Sequence, residues 1–216
     1  MKKLLFLSIF CVAAHFASKA QGARFGVTAG AAFSNYDVKI GGASSTDKSL
    51  TGPVFGVLLD IPISSNISFQ PAVNYLQKGA KNDTTADGVT LTAKRTVNNF
   101  EIPLNFVLNA RGDNGHFFIG AGPTLAFAIS GKDKLTDGTN SLSADLKFGS
   151  TSDDDLRGLD IGANFMAGYC FNNGLMFSAN YNAGLSNLMP VSSDGSVKSH
   201  YFGIKIGFLL GGSGKK

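Results

Sequence analysis

Apolar and polar residues alternate with a period of two along much of this chain, most clearly in residues 97–108. In that segment every second position is apolar: Phe100, Ile102, Leu104, Phe106 and Leu108. The positions between them carry Asn, Glu, Pro, Asn and Val. Only an extended strand separates such a pattern into two faces, and about ten residues is the length with which a tilted strand crosses a bilayer.

The same periodicity predicts eight strands, at residues 24–35, 52–62, 67–78, 97–108, 116–130, 158–171, 175–186 and 199–210. The segments between them alternate between long polar loops (36–51, 79–96, 131–157 and 187–198) and short turns (63–66, 109–115 and 172–174). An even strand count with long loops at one end and short turns at the other is typical of outer-membrane β-barrels. Since both termini lie on the short-turn side, we expect that side to face the periplasm.

The two faces of these strands differ in the size of their side chains. One face carries nearly all the aromatic residues: Phe25, Phe33, Phe55, Phe69, Tyr75, Phe100, Phe106, Phe117, Phe127, Phe165, Tyr169, Phe171, Phe177, Tyr181, Phe202 and Phe208. The other face carries ten glycines with Asn and Ser between them, and only Phe118 and Tyr201 among the aromatics. Such a small, nearly uncharged face suits the crowded interior of a narrow barrel, so the aromatic face is expected to meet lipid.

The first 20 residues resemble a secretory signal peptide, because a basic start, an apolar stretch and Ser18-Lys19-Ala20 follow one another. We therefore expect three parts: a signal peptide at 1–20, a barrel domain at 21–210 and a short tail at 211–216. The apolar stretch is too short for a membrane anchor. The tail also differs from such barrels, which usually end on an aromatic residue, so either the last strand stops early or the C-terminus is not the native one.

Removing the signal peptide changes the charge and the cysteine count. Lys2, Lys3 and Lys19 leave with it, so the net charge falls from +4 to +1. This near-neutral balance removes the compositional argument for a nucleic-acid partner. Cys170 is then the only cysteine, which excludes an intramolecular disulfide.

Six charged residues fall on the inner face: Arg24, Asp60, Lys78, Glu101, Asp160 and Lys205. Carboxylates inside a narrow barrel would be costly alone, so we expect them to pair with the interior cations as a structural charge network. A Glu101–Lys205 contact across the lumen is compatible with the strand order. General acid–base catalysis is the weaker hypothesis, because a filled barrel offers no substrate path.

An outer-membrane lipid-modifying enzyme would need serine, histidine and an acid together at one rim. The mature chain has only His116 and His200, and Ser199 and Asp194 lie near the second in sequence. Adjacent residues on a strand point to opposite faces, so Ser199 and His200 cannot readily share a proton.

The acidic run Asp153-Asp154-Asp155 could bind a divalent cation, but it lacks the ligand spacing of a calcium loop. We predict no catalytic residues, metal site or cofactor.

Several ordered segments resemble the PorT-like outer-membrane β-barrel family, known mainly from Bacteroidota. They are GVTAG at 26–30, SFQPAVNY at 68–75, QKG at 77–79, FEIPL at 100–104, GAGP at 120–123 and YNAGLSN at 181–187. The resemblance covers essentially all of the mature chain. It implies an outer-membrane barrel, and for PorT itself a link to protein export by the type IX secretion system.

The fold prediction is an all-β, eight-stranded antiparallel up-and-down transmembrane β-barrel, monomeric, in the outer membrane of a Gram-negative bacterium. A soluble lipocalin-like barrel is the alternative architecture. For function we expect a non-enzymatic envelope protein with a structural or partner-binding role, surrounded by outer-membrane lipid and accessory to secretion if it follows PorT. A lipid-modifying enzyme and a small pore are the alternatives.

Overall fold

The computed structural model describes residues 22–41, 43–86, 89–191 and 195–211. The predicted signal peptide at 1–20 and residues 212–216 of the predicted tail lie outside these ranges. The described residues form ten strands: β1 (Arg24–Ile40), β2 (Ala43–Thr46), β3 (Lys48–Pro62), β4 (Ile67–Ala86), β5 (Val89–Gly112), β6 (Gly115–Thr136), β7 (Ser141–Asp145), β8 (Leu159–Phe171), β9 (Leu175–Gly184) and β10 (Gly195–Leu210). No helix in the described part of the chain has the length and hydropathy of a membrane span.

Eight of these strands close into a ring in the order β1, β3, β4, β5, β6, β8, β9, β10. Every neighbouring pair is antiparallel, and β1 closes the ring by pairing with β10 from Phe25–Leu210 to Ile40–Gly195. Closure removes the unpaired sheet edges that a bilayer does not tolerate. The prediction of an eight-stranded antiparallel barrel is confirmed.

Six of the eight ring strands (β1, β3, β4, β5, β6 and β10) are longer than predicted at the long-loop end, whereas β8 and β9 are one and two residues shorter there. The strands β2 and β7 lie in segments that we expected to be loops. β2 pairs with the end of β1, and β7 pairs with the end of β6. Residues 36–40, 79–86, 89–96 and 131–136 also continue ring strands. The prediction of loops there was wrong because residues 79–86 and 131–136 have few apolar side chains, and because the alternation of Tyr36, Val38 and Ile40 and of Val89, Leu91 and Ala93 is short. Their many threonines nevertheless favour strands.

The two faces of the ring lie as predicted. Phe100 and Phe106 on β5 point outward and are about half exposed (48% and 58%). Phe118 and Tyr201, the two aromatics predicted on the inner face, are 4% and 3% exposed. On β5 the outward apolar positions run from Phe100 to Leu108, about 27 Å along the strand at about 3.4 Å per residue. Once the strand tilt is included, this lipid-facing band matches the roughly 25 Å apolar belt of such barrels.

Side chains fill the barrel interior in successive layers. Near the short turns lies an apolar layer, the short-turn cluster, made of Leu58, Val107, Phe118, Cys170, Met176 and Leu209. Near the long loops lies the long-loop cluster, made of Tyr36, Ala80, Val97, Leu156 and Leu188. Between them are a smaller apolar group around Leu76 and Tyr201 and most of the buried polar residues. The polar middle of the barrel is therefore covered by apolar side chains at both ends.

Some interior glycines are needed because neighbouring strands approach them closely. A Cβ atom on Gly30 of β1 would overlap the carbonyl oxygen of Ile204 on β10. A Cβ atom on Gly122 of β6 would overlap the carbonyl oxygen of Leu104 on β5. The glycine-rich inner face is thus partly a steric requirement of this narrow ring.

Candidate functional site

An ion pair lies across the lumen just below the long-loop cluster. The Lys78 ammonium on β4 is 2.9 Å from the Asp160 carboxylate on β8, and the two side chains are 3% and 9% exposed. Ser199 on β10 donates a 2.5 Å hydrogen bond to the same carboxylate oxygen, and Ser186 donates a 3.0 Å bond to the other. Three walls of the barrel therefore converge on one buried carboxylate, which is fully paired.

A second buried carboxylate, Glu101, lies on β5 directly across the ring from β10. Tyr201 of β10 donates a 2.7 Å hydrogen bond to its Oε1 atom, and Asn74 donates a 3.3 Å bond to the same atom. The Lys78 ammonium lies 5.8 Å from the centre of the Tyr201 ring. Tyr201 thus connects the Glu101 site to the Lys78–Asp160 pair.

Of the other predicted interior charges, Arg24 pairs with Asp60 at the short-turn end. The Arg24 guanidinium donates hydrogen bonds of 2.6 and 3.1 Å to one oxygen of that carboxylate. Lys205 lies opposite Ser178 on the neighbouring strand. Within the described ranges no carboxylate is within 4 Å of its ammonium, so the Glu101–Lys205 ion pair considered from the sequence is not formed.

The neutral residues that join these charges were not predicted from the sequence. Ser199 and Tyr201 hold Asp160 and Glu101, and a chain of amides connects three walls, with Asn180 donating to Asn164 at 3.1 Å and Asn164 donating to Asn105 at 3.0 Å. All of them share the inward parity of the predicted charges, which was the available signal. Their partners belong to distant strands, which parity alone does not identify.

The serine beside the ion pair does not form a hydrolytic site. Ser199 is 1% exposed and faces inward, whereas His200 lies on the outer face with its Nε2 atom 3.4 Å from Asp37. The cavity next to Ser199 has a volume of about 20 Å³, which is room for one water molecule. Asp194 lies outside the described residues. No substrate of lipid size reaches this serine in the described structure.

The acidic run of the third long loop supports the loop itself. Asp154 accepts hydrogen bonds from the backbone and hydroxyl groups of Thr151, which hold the pKa of its carboxyl below the usual range. Asp155 accepts a 2.8 Å bond from the backbone of Lys147. Within the ranges given above, no three His, Cys, Asp or Glu side chains are grouped to hold a metal ion.

Beyond the lipid-facing band, β4, β5, β6 and β7 continue as one sheet whose inner side lines a vestibule of about 490 Å³. Its wall includes the Arg95–Asp133 ion pair, whose two hydrogen bonds raise the pKa of the Arg95 guanidinium. Leu135 and Leu142 form an exposed cross-strand pair on the same side. The vestibule combines charged and apolar groups.

β7 is the last strand of this outer sheet. In the described part of the chain it pairs only with β6, and all five of its residues are exposed. Leu142 in its centre is 74% exposed. Its far side therefore presents unpaired backbone groups to solvent.

The family model of the outer membrane protein beta-barrel domain matches residues 16–189. A comparison with curated proteins gave no match.

Several solved structures are similar over most of their length. Ail, the attachment invasion locus protein of Yersinia pestis, is 15% identical, with 87% of this chain and 99% of that chain covered and a TM-score of 0.39. Neisserial surface protein A is 14% identical, with 87% and 99% covered and a TM-score of 0.41. The N-terminal β-barrel domain of Pseudomonas aeruginosa OprF is 9% identical, with 86% and 97% covered and a TM-score of 0.36. Because the family model spans most of the residues, the chain belongs to the outer membrane protein beta-barrel domain family.

Proposed function

We propose that this outer-membrane barrel is non-enzymatic and acts by binding another protein of the cell envelope through its outer sheet. The observation that carries the proposal is the exposed edge of β7, whose partner within the described residues is β6 alone. A free strand edge accepts an extended segment of another protein through main-chain hydrogen bonds. The exposed Leu142 would supply side-chain contact beside them.

The filled interior supports the non-enzymatic part of this proposal. The short-turn and long-loop clusters cover the polar middle from both ends, and the cavity beside Ser199 has room for a single water molecule. Eight strands leave a lumen that side chains can fill. The same arrangement argues against the alternative of a small pore.

Photo-crosslinking in the native host tests the strand-edge hypothesis. A photoreactive amino acid at position 142, on β7, is expected to capture a discrete envelope protein. The matched control places it at Val191, an apolar residue that is also exposed but lies in another long loop. The same adduct from both positions, or none from position 142, would contradict the proposal.

A finer version of the proposal is that the partner belongs to a secretion system, as the resemblance to PorT implies. It is tested by comparing the secreted and surface proteomes of the parent strain and a clean deletion of the gene. Retention of a defined set of exported proteins in the periplasm is expected. Matching proteomes would reject the secretion role and leave the structural or partner-binding role.

A further inference from the structure

A row of four lysines crosses the outward side of the outer sheet. Lys48 on β3 pairs with Lys81 on β4, Lys81 pairs with Lys94 on β5, and Lys94 pairs with Lys134 on β6. Directly paired residues of antiparallel strands point to the same face, so the four side chains share one side of the sheet. Strands are about 4.8 Å apart, so the row is roughly 14 Å long.

The row lies on the same side of the sheet as the lipid-facing band. Ala80 and Arg95, which alternate with Lys81 and Lys94, belong to the inward side, since Ala80 packs in the long-loop cluster. The lysines therefore point away from the lumen. Lys94 and Lys134 are exposed.

Carboxylates neutralise only part of this charge. Asp83 lies 3.2 Å from the Lys48 ammonium and 3.3 Å from the Lys81 ammonium, so one carboxylate is shared between two lysines. In the described ranges no carboxylate lies within 4 Å of Lys94 or Lys134. Like charges directly opposite one another destabilise a sheet. An anion outside this chain would relieve that repulsion.

The height of the row identifies the anion. The uppermost row of the lipid-facing band is Tyr75, Phe100 and Phe127, which pair with one another across β4, β5 and β6. Aromatic residues of this kind mark the membrane interface. A hydrogen-bonded row of Gln77, Asn98 and Ser130 follows.

The lysine row begins beyond these two rows. Lys81 is six residues beyond Tyr75, which is about 20 Å along the strand and roughly 15 Å in height at a tilt of about 40°. Long loops of outer-membrane barrels face the cell exterior. The backbone of the row therefore lies on the outer side of the acyl region of the outer leaflet, and the flexible lysine stems let the ammonium groups reach back toward the lipid headgroups.

We propose that the lysine row binds the phosphate groups of an anionic glycolipid in the outer leaflet. Lysine is a compact point charge on a flexible stem, which suits phosphates that differ in position from one lipid to the next. The proposal concerns the outward side of the sheet, and it does not depend on the partner proposed for the β7 edge.

The test is lipid titration of the full chain, refolded in a neutral detergent and followed by native mass spectrometry. The probes are diphosphorylated lipid A and the same lipid with both phosphates removed. The test variant is K94Q/K134Q. The matched control is K39Q/K198Q, which also removes two exposed lysines, from β1 and β10. On these paired strands Asp37 is directly opposite Lys198 and two residues from Lys39. The unheated gel mobility of each variant establishes that it is folded.

We expect K94Q/K134Q to bind diphosphorylated lipid A about 25-fold more weakly, since each of the two basic residues near an anionic surface contributes about a factor of five. K39Q/K198Q should stay within about twofold of the wild type, and K94R/K134R should retain binding. At about 1 M salt the difference should vanish, because the screening length falls to about 3 Å.

Three results would overturn the proposal. The first is an equal affinity of the wild type for lipid A with and without its phosphates. The second is a loss of lipid A affinity in K39Q/K198Q equal to that in K94Q/K134Q. The third is complete displacement of bound lipid A by inorganic phosphate at the same concentration as the lipid. The last would identify a site for free phosphate rather than for a lipid.

Discussion

Replacing Lys78 with methionine should test whether the buried charge network holds the barrel together. The substitution keeps an unbranched apolar stem only one heavy atom shorter but leaves the Asp160 carboxylate, on a residue that is 7% exposed, without its cation. Breaking a buried ion pair from one side costs about 3–5 kcal/mol. Ser199 and Ser186 still donate to Asp160, and hydrogen bonds to charged groups contribute about 1.5–3 kcal/mol each. We therefore expect a loss near the lower limit, about 3 kcal/mol.

A double-mutant cycle separates this effect from lost packing. In K78M/D160N no buried charge is left unpaired, so the double variant should lose only about 1 kcal/mol, less than either single variant. Lys132→Met is the matched control, because Lys132 and Asp145 are 3.6 Å apart but their side chains are 59% and 86% exposed. Exposed pairs contribute about 1 kcal/mol or less.

Urea unfolding in phospholipid vesicles provides the measurement, with the folded fraction taken from the gel mobility of unheated samples. Equal slopes of free energy against urea are required before midpoints are compared. A midpoint of K78M equal to that of the wild type would refute the reasoning. So would a double variant as unstable as the sum of the two single variants.

Three further predictions follow from particular residues and from the filled lumen. Gly30→Ala should destabilise the barrel by about 1–3 kcal/mol in the same urea assay, because the added methyl group overlaps the Ile204 carbonyl. Gly112→Ala is the control: its new Cβ would make only ordinary van der Waals contact, so stability should change by less than about 1 kcal/mol. The Thr92 hydroxyl, with Lys48 and Lys81, lowers the pKa of the Asp83 carboxyl. The ionised Asp83 carboxylate should therefore stabilise the fold at pH values above its ordinary pKa, and this stabilisation should be lost as the pH falls through the lowered pKa of the folded state. Carboxyl NMR of Thr92→Val should show that pKa raised toward the ordinary value, and an unchanged titration would reject the assignment. In planar bilayers the wild-type barrel should show no discrete conductance, and stable unitary steps would contradict the filled interior.

The membrane-spanning part of the fold was predictable because the two solvents differ there. On β5 the face toward lipid carries Phe100, Ile102 and Leu104. The face toward the narrow lumen carries Asn99, Glu101 and Asn105. That contrast repeats on every ring strand, so parity alone assigns the faces. The short turn predicted at 172–174 is also present before β9, and Gly174 in it has a φ of +93°, which glycine adopts readily.

The outer sheet was not predictable by the same argument. Above the band both faces meet polar surroundings, so the alternation of Lys81, Asn82, Asp83 and Thr84 carries no apolar signal. What holds these residues in strands is pairing with β5, for example the 2.8 Å hydrogen bond from the Thr92 hydroxyl to Asp83. Such pairing depends on register, which a single sequence does not supply.

The interior site was predictable in composition but not in its partners. The sequence placed Lys78, Glu101 and Asp160 on the inner face, and the structure has all three buried. It did not identify Tyr201 as the partner of Glu101, because those residues come from opposite sides of the ring and are 100 positions apart. The lysine row likewise became visible only once β3, β4, β5 and β6 were aligned.

The converging contacts on Asp160 have a consequence for how the chain enters a membrane. Lys78, Asp160 and Ser199 come from β4, β8 and β10, which are not neighbours in the ring. A hairpin that crossed the bilayer alone would carry its charge into hydrocarbon without the partner that neutralises it. We therefore expect the strands to curl toward one another before they cross, so that these charges enter the bilayer already paired.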